Sequence, residues 1–402
     1  MALSLHPRIS PPIKDRPKTL RSIELFTGAG GLALGTHAAG FRHAFLVEWD
    51  EHACATIRAN ARTEAMPGIS SWVDDLRQGD VCKVDFSIFK GLDLCAGGAP
   101  CQPFSIGGKH RGMEDPRDMI PQFVRAIREC KPRAFLLENV RGLLRAAFLP
   151  YFEYVLLQLR FPSDVRRKGE DWRRHVARLE ARKARGDAEY HVTYALLNAA
   201  DFGVPQIRWR VLVVGTRAET DQPFTFPAKS HTYEALLFDQ WVTGEYWERH
   251  ERARPALPDH VASRVGRLSA WNLEEARPWR TVRDAIGHLP EPLVEGYPQW
   301  PDHRLQPGAR SYYGHSGSEL DMPSKTLKSG VHGVPGGENM LRRDDGSVRY
   351  YSVHEAALIQ TFPDKWTFAG PWGETMRQLG NAVPVHLAEV ISTCVADQLR
   401  SV

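Results

Sequence analysis

The stretch that decides the fold is residues 22–31, SIELFTGAGG, in which a short apolar run leads into a glycine turn. An Ala/Leu-rich segment reaches to about residue 39, and this order of strand, tight turn and helix is typical of ligand-binding α/β units. Glycines let the backbone approach a ligand, and the free N–H groups at a helix start attract an anion. The spacing is G-x-G-G and lacks the full G-x-G-x-x-G, so a carboxylate suits the turn better than a dinucleotide phosphate. A plain structural turn is the alternative.

Composition sets broad limits on the class of protein. The chain has 402 residues, 42% hydrophobic and 25% charged, with a net charge of +4, which is ordinary for a globular protein. No apolar run approaches the ~20 residues that a bilayer span needs, and the first twenty residues lack a signal-peptide core. The six cysteines form no C-x-x-C pair, which argues against a zinc site or a disulfide scaffold. We therefore expect a cytoplasmic protein with free thiols and no metal.

The pattern along the chain predicts an α/β fold with a doubly wound parallel sheet. Short apolar runs alternate with helix-like segments; the runs are residues 22–26, 44–49, 92–96, 134–138 and 210–216, and the helices 50–61, 119–130 and 143–159. This alternation fails between residues 218 and 345, where proline, glycine, histidine and aromatic residues are frequent, which predicts a second, smaller, loop-rich domain. Residues 1–20 are expected to be a flexible arm, 21–217 the main domain, and 346–402 a segment that returns to it.

Residues 160–185 carry ten Lys/Arg and four Asp/Glu. A charged helix that protrudes from the domain is the favoured interpretation, and an element that faces nucleic acid is the alternative.

One cysteine stands in an unusual setting. In residues 92–105, LDLCAGGAPCQPFS, an apolar strand breaks into small residues and Cys101 lies between two prolines. A rigid turn at the carboxyl end of a parallel strand is where open α/β sheets bind ligands. A thiolate there can attack carbon if positive charge lowers its pKa, so Cys101 is the candidate nucleophile, whereas Cys95 within the strand is structural.

Two further segments carry charged groups at strand ends. Glu138 ends the buried run AFLLENV (134–140), where apolar surroundings would raise its pKa and make it a proton donor. Arg208 and Arg210 alternate toward one face of a strand, and their planar forks suit a phosphate or a base carbonyl. The alternative for Glu138 is a structural acid that caps a helix or forms an ion pair. The alternative for Arg208 and Arg210 is that they form surface ion pairs.

Together these blocks resemble the DNA cytosine-5 methyltransferases of the bacterial modification type. In order they are F-x-G-x-G-G at 26–31, EW at 48–49, GDV at 79–81, PCQ at 100–102, ENV at 138–140, Q-x-R-x-R at 206–210, QTFP at 360–363 and GNAVP at 380–384. They span nearly the whole chain, and their shared order is unlikely to arise by chance.

The resemblance implies a chemistry for the candidate catalytic residues. The Cys101 thiolate attacks C6 of cytosine while Glu138 protonates or hydrogen-bonds N3, and the resulting enamine accepts a methyl group at C5. Arg208 and Arg210 would hold the cytosine O2 and the neighbouring backbone, with Arg210 as the base contact, and Asn139 would shape the pocket. Since C6 is stacked within a duplex, the base must be flipped out. The sequence names no residue that removes the C5 proton.

The resemblance also implies S-adenosylmethionine as the methyl donor, which leaves as S-adenosylhomocysteine. Its expected binding residues are Phe26 for adenine, Gly28, Ala29, Gly30 and Gly31 for the methionine end, Glu48 for the ribose hydroxyls, Trp49 for the adenine face, Asp80 and Val81 for the adenine amino edge, and Pro100, Asn381 and Val383 to complete the pocket.

The expected partner is duplex DNA, bound by a monomer, with a separately acting restriction endonuclease as a possible companion. Residues 218–345 occupy the target-recognition position, where cations such as Lys325 or Arg342 could meet phosphates. An RNA (tRNA) cytosine-5 methyltransferase of the same fold is the alternative, although the size of the recognition module favours DNA. A nicotinamide-dependent oxidoreductase would need the missing dinucleotide fingerprint.

Overall fold

A computed structural model describes residues 19–100, 118–219, 222–268, 276–313, 316–329 and 339–401. Its centre is a seven-stranded sheet with the spatial order β3-β2-β1-β4-β5-β7-β6. The strands are β1 (Leu20–Leu25), β2 (Phe41–Glu48), β3 (Leu76–Gln78), β4 (Leu94–Gly98), β5 (Ala134–Val140), β6 (Tyr190–Asn198) and β7 (Trp209–Arg217). The predicted α/β class is confirmed, and the order reverses direction at β1 and β4, as in doubly wound folds.

Six strands run in the same direction and β7 runs against them, which corrects the expectation of a wholly parallel sheet. Strands β1 to β5 pair in parallel, whereas β7 runs antiparallel to both β5 and β6. Only a short turn over Ala199–Phe202 and a few further residues separate β6 from β7. Such a connection joins antiparallel neighbours, because a parallel pair needs a long crossover.

Helices cover both faces of the sheet. In the first part of the chain they are α1 (Gly31–Ala38), α2 (Glu51–Arg62), α3 (Trp72–Asp75), α4 (Ile120–Cys130), α5 (Leu149–Arg160) and α6 (Trp172–Arg185). Each predicted helix is present within a few residues of its predicted bounds, apart from the 143–159 segment, which splits into a 3-10 turn (Arg141–Leu144) and α5. Helices α4 and α5 pack on one face with β1 and β5, and α1 packs on the other.

The C-terminal segment supplies α11 (Val353–Ile359), α12 (Trp372–Asn381) and α13 (Val385–Arg400). Helix α13 lies directly against α1, since a Cβ added to Gly35 would come 2.4 Å from Cβ of Ala388. The stretch Trp372–Arg400 is long and apolar enough to cross a membrane, but about two thirds of its most apolar window is buried inside the protein. It therefore belongs to the core of this fold.

The loop-rich segment contributes most of its buried apolar residues to two clusters and Phe224 to a third. Its short elements are β8 (His231–Thr232), α7 (Tyr233–Phe238), α8 (Glu245–Arg249), α9 (Asp259–Val265), β9 (Arg277–Pro278), α10 (Val282–Ile286), β10 (Ser318–Glu319), β11 (Met340–Arg342) and β12 (Val348–Tyr350). Helices α7 to α9 share a small core with Trp241 and Trp247, whereas α10 and Leu327 pack into the cluster formed by α1, α2 and α11. The segment is thus anchored to the main domain through α10, and the 218–345 boundary stays a prediction.

Helix α6 carries most of the basic segment, and it packs along α5 more closely than a protruding helix would. Asp171 caps its start by accepting a hydrogen bond from the Arg173 amide, and Gly186 ends it with a left-handed conformation. Leu179 is fully buried against Tyr154, Leu157 and Phe161. One face of the helix is therefore part of the core, and the charges lie on the others.

Candidate active site

The carboxyl ends of β4 and β5 bring a buried acid and an arginine together. Glu138 is opposite Gly98 in the register of the two strands, and a Cβ at Gly98 would lie 3.1 Å from the Glu138 carboxylate. On the other side, Nε of Arg210 in β7 lies 2.6 Å from Oε1 of Glu138, and both side chains are almost completely buried. Burial raises the pKa of Glu138, although Arg210 and, to a lesser extent, Arg208 oppose the shift. The arrangement is a strand-end carboxyl group that can hold a proton next to a fixed positive charge.

Asn139 connects the two strand ends. Its side-chain amide donates a 3.3 Å hydrogen bond to the carbonyl of Ala99, while its Oδ1 accepts one from the Val140 amide. Pro100 follows Ala99 directly and is exposed at the end of β4. The predicted nucleophile, Cys101, lies outside the described residues. Asn139 therefore fixes the main chain two residues before it.

Arg208 differs from the expectation that both arginines face a ligand. Its side chain is completely buried, and its guanidinium donates to the carbonyls of Leu327 (2.9 Å), Gly380 (2.5 Å) and Ala382 (2.9 Å). Burial also lowers its pKa well below the usual arginine value. The guanidinium thus joins the loop-rich segment to the C-terminal segment, and its donors are directed at main-chain carbonyls.

Two glutamines extend this connection. Gln206 is completely buried; its Oε1 accepts from the Leu327 amide (3.1 Å) and its Nε2 donates to Oε1 of Gln360 (3.1 Å). Gln360 donates in turn to the carbonyl of Leu379 (2.5 Å). Nε of Arg208 has no hydrogen-bond partner among the described residues. The other hydrogen bonds of Arg208 and the two glutamines join three segments of the chain, and such a buried network favours one arrangement of them. We name Gln206, Arg208 and Gln360 the buried polar network.

The glycine turn is held by the acid at the end of β2. Oε2 of Glu48 accepts a 2.7 Å hydrogen bond from the Gly28 amide, and its Oε1 accepts from the amides of Trp49 and Asp50, both at 2.8 Å. Burial raises the pKa of Glu48, and these amides oppose the shift. Gly28 has a φ of +56° and a Cβ there would meet nothing within 4 Å, so the turn borders open space.

The remaining candidates for adenosine binding lie around this turn. Phe26 has a φ of +58°, an uncommon conformation for an aromatic residue, and its ring is half-buried. Trp49 is 72% exposed. Asp80 caps the next turn by accepting from the Cys82 amide (2.9 Å), a bond that lowers the pKa of Asp80, and Val81 beside it is buried. Two aromatic rings and two carboxylates thus stand within one edge of the sheet, at the ends of β1, β2 and β3.

The C-terminal segment closes the glycine turn from the far side. A Cβ at Gly31 would come 2.3 Å from the carbonyl oxygen of Val383, and one at Gly30 would contact Trp366 at 3.4 Å. Ala29 is buried in the same apolar cluster as Trp366. Asn381 ends α12 and is exposed. Only glycine fits at position 31, because any side chain would collide with main chain.

One buried acid was missed by sequence reasoning. Glu24 in β1 is completely buried, and neither carboxylate oxygen has a hydrogen-bond partner among the described residues. Burial raises the pKa of Glu24 well above the usual value, an effect that the nearby Ala33 amide only partly offsets. Its sequence signal was an acid at an inward-facing position of an otherwise apolar strand, four residues before Gly28.

Comparison with known proteins agrees with this geometry. The profile of the family described as C-5 cytosine-specific DNA methylase matches residues 20–161 and 178–396. The chain therefore belongs to the C-5 cytosine-specific DNA methylases. It is a DNA cytosine-5 methyltransferase of the restriction-modification type, as its type II methyltransferase relatives indicate. The family predicted from the sequence motifs is confirmed.

Three relatives illustrate the similarity. The type II methyltransferase M.NaeI of Lentzea aerocolonigenes is 35% identical over 389 residues, which cover 93% of this chain and 74% of the relative. M.NgoMIV of Neisseria gonorrhoeae is 31% identical over 393 residues, covering 94% and 98%. The solved structure of S. pombe Dnmt2 methyltransferase aligns over 95% of this chain and 99% of its own, with a TM-score of 0.54 and 15% identity, and supports the fold alone.

Proposed function

We propose that this enzyme transfers a methyl group from S-adenosylmethionine to C5 of a cytosine flipped out of a specific DNA duplex, through a covalent bond between Cys101 and C6. The observation that carries the proposal is the buried Glu138–Arg210 pair opposite Gly98, three residues before Cys101. A cytosine whose C6 met that sulfur would present N3 and O2 toward this pair. The enzyme would then act as the modification partner of a separately acting restriction endonuclease.

The reaction needs a proton at N3 while the sulfur attacks. As the S–C6 bond forms, the electron pair of the C5–C6 double bond becomes available at C5, and a protonated or strongly hydrogen-bonded N3 stabilises that enamine. Burial raises the pKa of Glu138, so this carboxyl group holds a proton more readily than an exposed glutamate, which suits this donation. After C5 has gained its methyl group, loss of the C5 proton re-forms the double bond and expels the thiolate. Water or hydroxide is the proposed base.

The two arginines take different roles in this proposal. Arg210 contacts Glu138 directly, so it orients the acid and is the side chain that can reach the base carbonyl. Arg208 acts as a positioning residue, since its hydrogen bonds hold Leu327, Gly380 and Ala382 in place. Asn139 likewise positions the turn that precedes Cys101 through its bond to Ala99. Pro100 stiffens that turn.

The glycine turn and its surroundings fit S-adenosylmethionine. When bound, this sulfonium compound supplies an electrophilic methyl group. Gly28, Ala29, Gly30 and Gly31 would receive the methionine carboxylate, and Phe26 and Trp49 the adenine ring; Glu48 would take the ribose hydroxyls, Asp80 and Val81 the adenine amino edge, and Asn381 and Val383 would close the pocket. Glu48 keeps acceptor capacity for hydroxyls, because a carboxylate has about four acceptor positions and three amides occupy it.

Covalent trapping tests the proposal. A duplex that contains 5-fluorocytosine at the methylated position, incubated with S-adenosylmethionine, should yield a protein–DNA adduct that resists denaturation. Cys101→Ser should bind DNA and give no adduct. Bisulfite sequencing of plasmid DNA from an expressing host identifies the position. An adduct with the serine variant, or none with the parent enzyme on its mapped site, would contradict the mechanism, and methylation of tRNA in place of duplex DNA would favour the RNA alternative.

A further inference from the structure

The basic segment before and within α6 sorts its charges into two groups. Residues 166–182 hold seven Lys and Arg residues, which are Arg166, Arg167, Lys168, Arg173, Arg174, Arg178 and Arg182. Arg178 is ion-paired with Asp164 and with Glu170 (2.8 Å), and Arg182 further along the helix contacts Asp164, Asp187 and Glu189. The inner arginines therefore engage the nearest carboxylates.

The other five cations face solvent. Arg166, Arg167, Lys168, Arg173 and Arg174 are exposed, and none has an ion pair within the part of the chain that the structure describes. The side chain of Arg173 lies over the Trp172 ring, 5.0 Å from its centre. We name these five residues the basic flank. The carboxylates of Glu170 and Asp171 nearby accept from main-chain amides of Arg167 and Arg173. Five exposed cations whose side chains form no ion pair among the described residues are the electrostatic pattern of a polyanion-binding surface.

The position of the basic flank relates it to the catalytic edge. Tyr154 donates to or accepts from Nδ1 of His175 at 2.7 Å, and its ring lies 6.1 Å from that of Trp172. Tyr154 is five residues beyond the first residue of α5, or about 8 Å along the helix axis at ~1.5 Å per residue. Helix α5 follows the 3-10 turn Arg141–Leu144, which begins directly after the strand that carries Glu138. The start of α6 thus packs beside the middle of α5, about 8 Å along the helix axis from its first residue.

The turn between β5 and α5 also carries exposed cations. Arg141 and Arg145 are exposed, and neither has an ion pair among the described residues. Exposed positive charge is therefore present directly after β5 as well as in the basic flank.

This surface belongs to an insertion. The family profile matches residues 20–161 and resumes at 178, so the segment 162–177 that holds the basic flank lies outside the shared part of the fold. The segment is nevertheless ordered by specific contacts, because His175 bonds to the carbonyl of Asp164 (2.9 Å) and Arg178 to that of Val165 (3.2 Å).

We infer that the basic flank binds the phosphate backbone of the same DNA duplex, outside the base pairs around the methylated cytosine. The inference rests on the proposed function, which locates the duplex at the catalytic edge. Phosphate contacts of this kind add affinity without adding sequence information. The insertion would lengthen the DNA footprint and leave the choice of target cytosine to the loop-rich segment.

Salt-dependent binding on short and long duplexes tests the inference. The variant is Arg166→Gln/Arg167→Gln/Lys168→Gln, whose side chains form no ion pair with any residue that the structure describes. The matched control is Arg42→Gln/Arg62→Gln/Lys90→Gln, three exposed cations near the opposite edge of the sheet. Binding is measured by fluorescence anisotropy from 50 to 300 mM salt, with duplexes of about 12 and about 40 base pairs centred on the mapped site; at ~3.4 Å per pair the shorter one ends ~20 Å from its centre.

Each lost phosphate contact should reduce the slope of log K against log salt by about 0.9. The variant should therefore lose up to about 2.7 from the slope on the long duplex and keep the parent slope on the short one, while the control keeps both. The methylation rate at saturating DNA should be unchanged, and Arg173→Gln/Arg174→Gln should show a smaller shift of the same kind.

Three results would overturn the inference: an unchanged slope on the long duplex, an equal loss on both lengths, or a loss confined to a 40-nucleotide RNA hairpin. Failure of the parent enzyme to methylate any duplex would instead contradict the proposed function, so the two failures are distinguishable.

Discussion

Replacement of Arg208 by methionine distinguishes a positioning role from contact with the cytosine. The substitution leaves three buried carbonyls, those of Leu327, Gly380 and Ala382, without their donor. An unsatisfied buried acceptor costs about 1–3 kcal/mol, which gives roughly 3–9 kcal/mol in total. Removal of a buried charge that no carboxylate contacts directly recovers several kcal/mol of desolvation. We therefore expect the free energy of unfolding to fall by about 2–5 kcal/mol.

The same substitution should weaken cofactor binding. Gly380 and Ala382 lie next to Val383, whose carbonyl closes against Gly31 in the glycine turn. If the buried polar network holds that segment, its displacement should weaken the binding free energy of S-adenosylmethionine. A loss of ~1.4 kcal/mol would raise the dissociation constant about tenfold. Urea unfolding, followed by tryptophan fluorescence, and calorimetric titration with the cofactor measure the two effects.

Arg210→Met is the matched control, since that side chain contacts Glu138 and should affect the chemical step more than cofactor affinity. A positioning role for Arg208 would be contradicted by an Arg208→Met variant that loses turnover but keeps the parent cofactor affinity and stability. Stability counts as kept if the free energy of unfolding changes by no more than about 0.5 kcal/mol. That combination is what a direct base contact would produce.

Three other variants probe separate features. Glu138→Gln should slow the single-turnover methyl transfer by ~10²–10⁴, and an unchanged rate would argue against proton donation. Because burial raises the pKa of Glu24, the acid form stabilises the fold; stability is full below the usual Glu pKa and falls as pH rises through the raised value. Glu24→Gln should remove that fall in urea titrations from pH 5 to about 9, and parallel curves for the two proteins would contradict the assignment. Gly31→Ala, which forces a Cβ to 2.3 Å from Val383, should cost about 1–3 kcal/mol and weaken cofactor binding, whereas Gly79→Ala meets nothing within 4 Å and should be neutral.

Sequence reasoning located the parts of the site that depend on local pattern. The glycine turn, Glu48 and Glu138 each follow a buried apolar run, and parallel strands bring their carboxyl ends to one edge. The motifs therefore predicted which residues share that edge. Local pattern also predicted a charged helix within residues 160–185, of which α6 occupies Trp172–Arg185.

What the sequence could not supply was the pairing of distant groups. Arg208 and Arg210 are the same residue type two positions apart, with Arg208 just before β7 and Arg210 within it. Only contacts with distant segments distinguish Arg208, which donates to Gly380, from Arg210, which contacts Glu138. The predicted parallel direction of β7 was wrong because the sequence analysis did not recognise β6. The exposed Tyr194 and Leu196 obscure the alternation of apolar and polar residues along that strand. The complete burial of Glu24 likewise depends on packing that its local sequence does not show.

The glycine turn is completed by residues made at the opposite end of the protein. Thr56 donates to Gln378, 322 positions away, and the carbonyl of Val383 abuts Gly31. Contacts between such remote segments form late in folding, because the entropy cost of closing the long intervening loop comes before the contacts can stabilise the fold. On the ribosome, α1 would emerge long before the C-terminal segment that packs against it. A nascent chain would consequently remain inert toward the chromosome until synthesis had passed α13, and prematurely terminated products would be inactive as well as unstable.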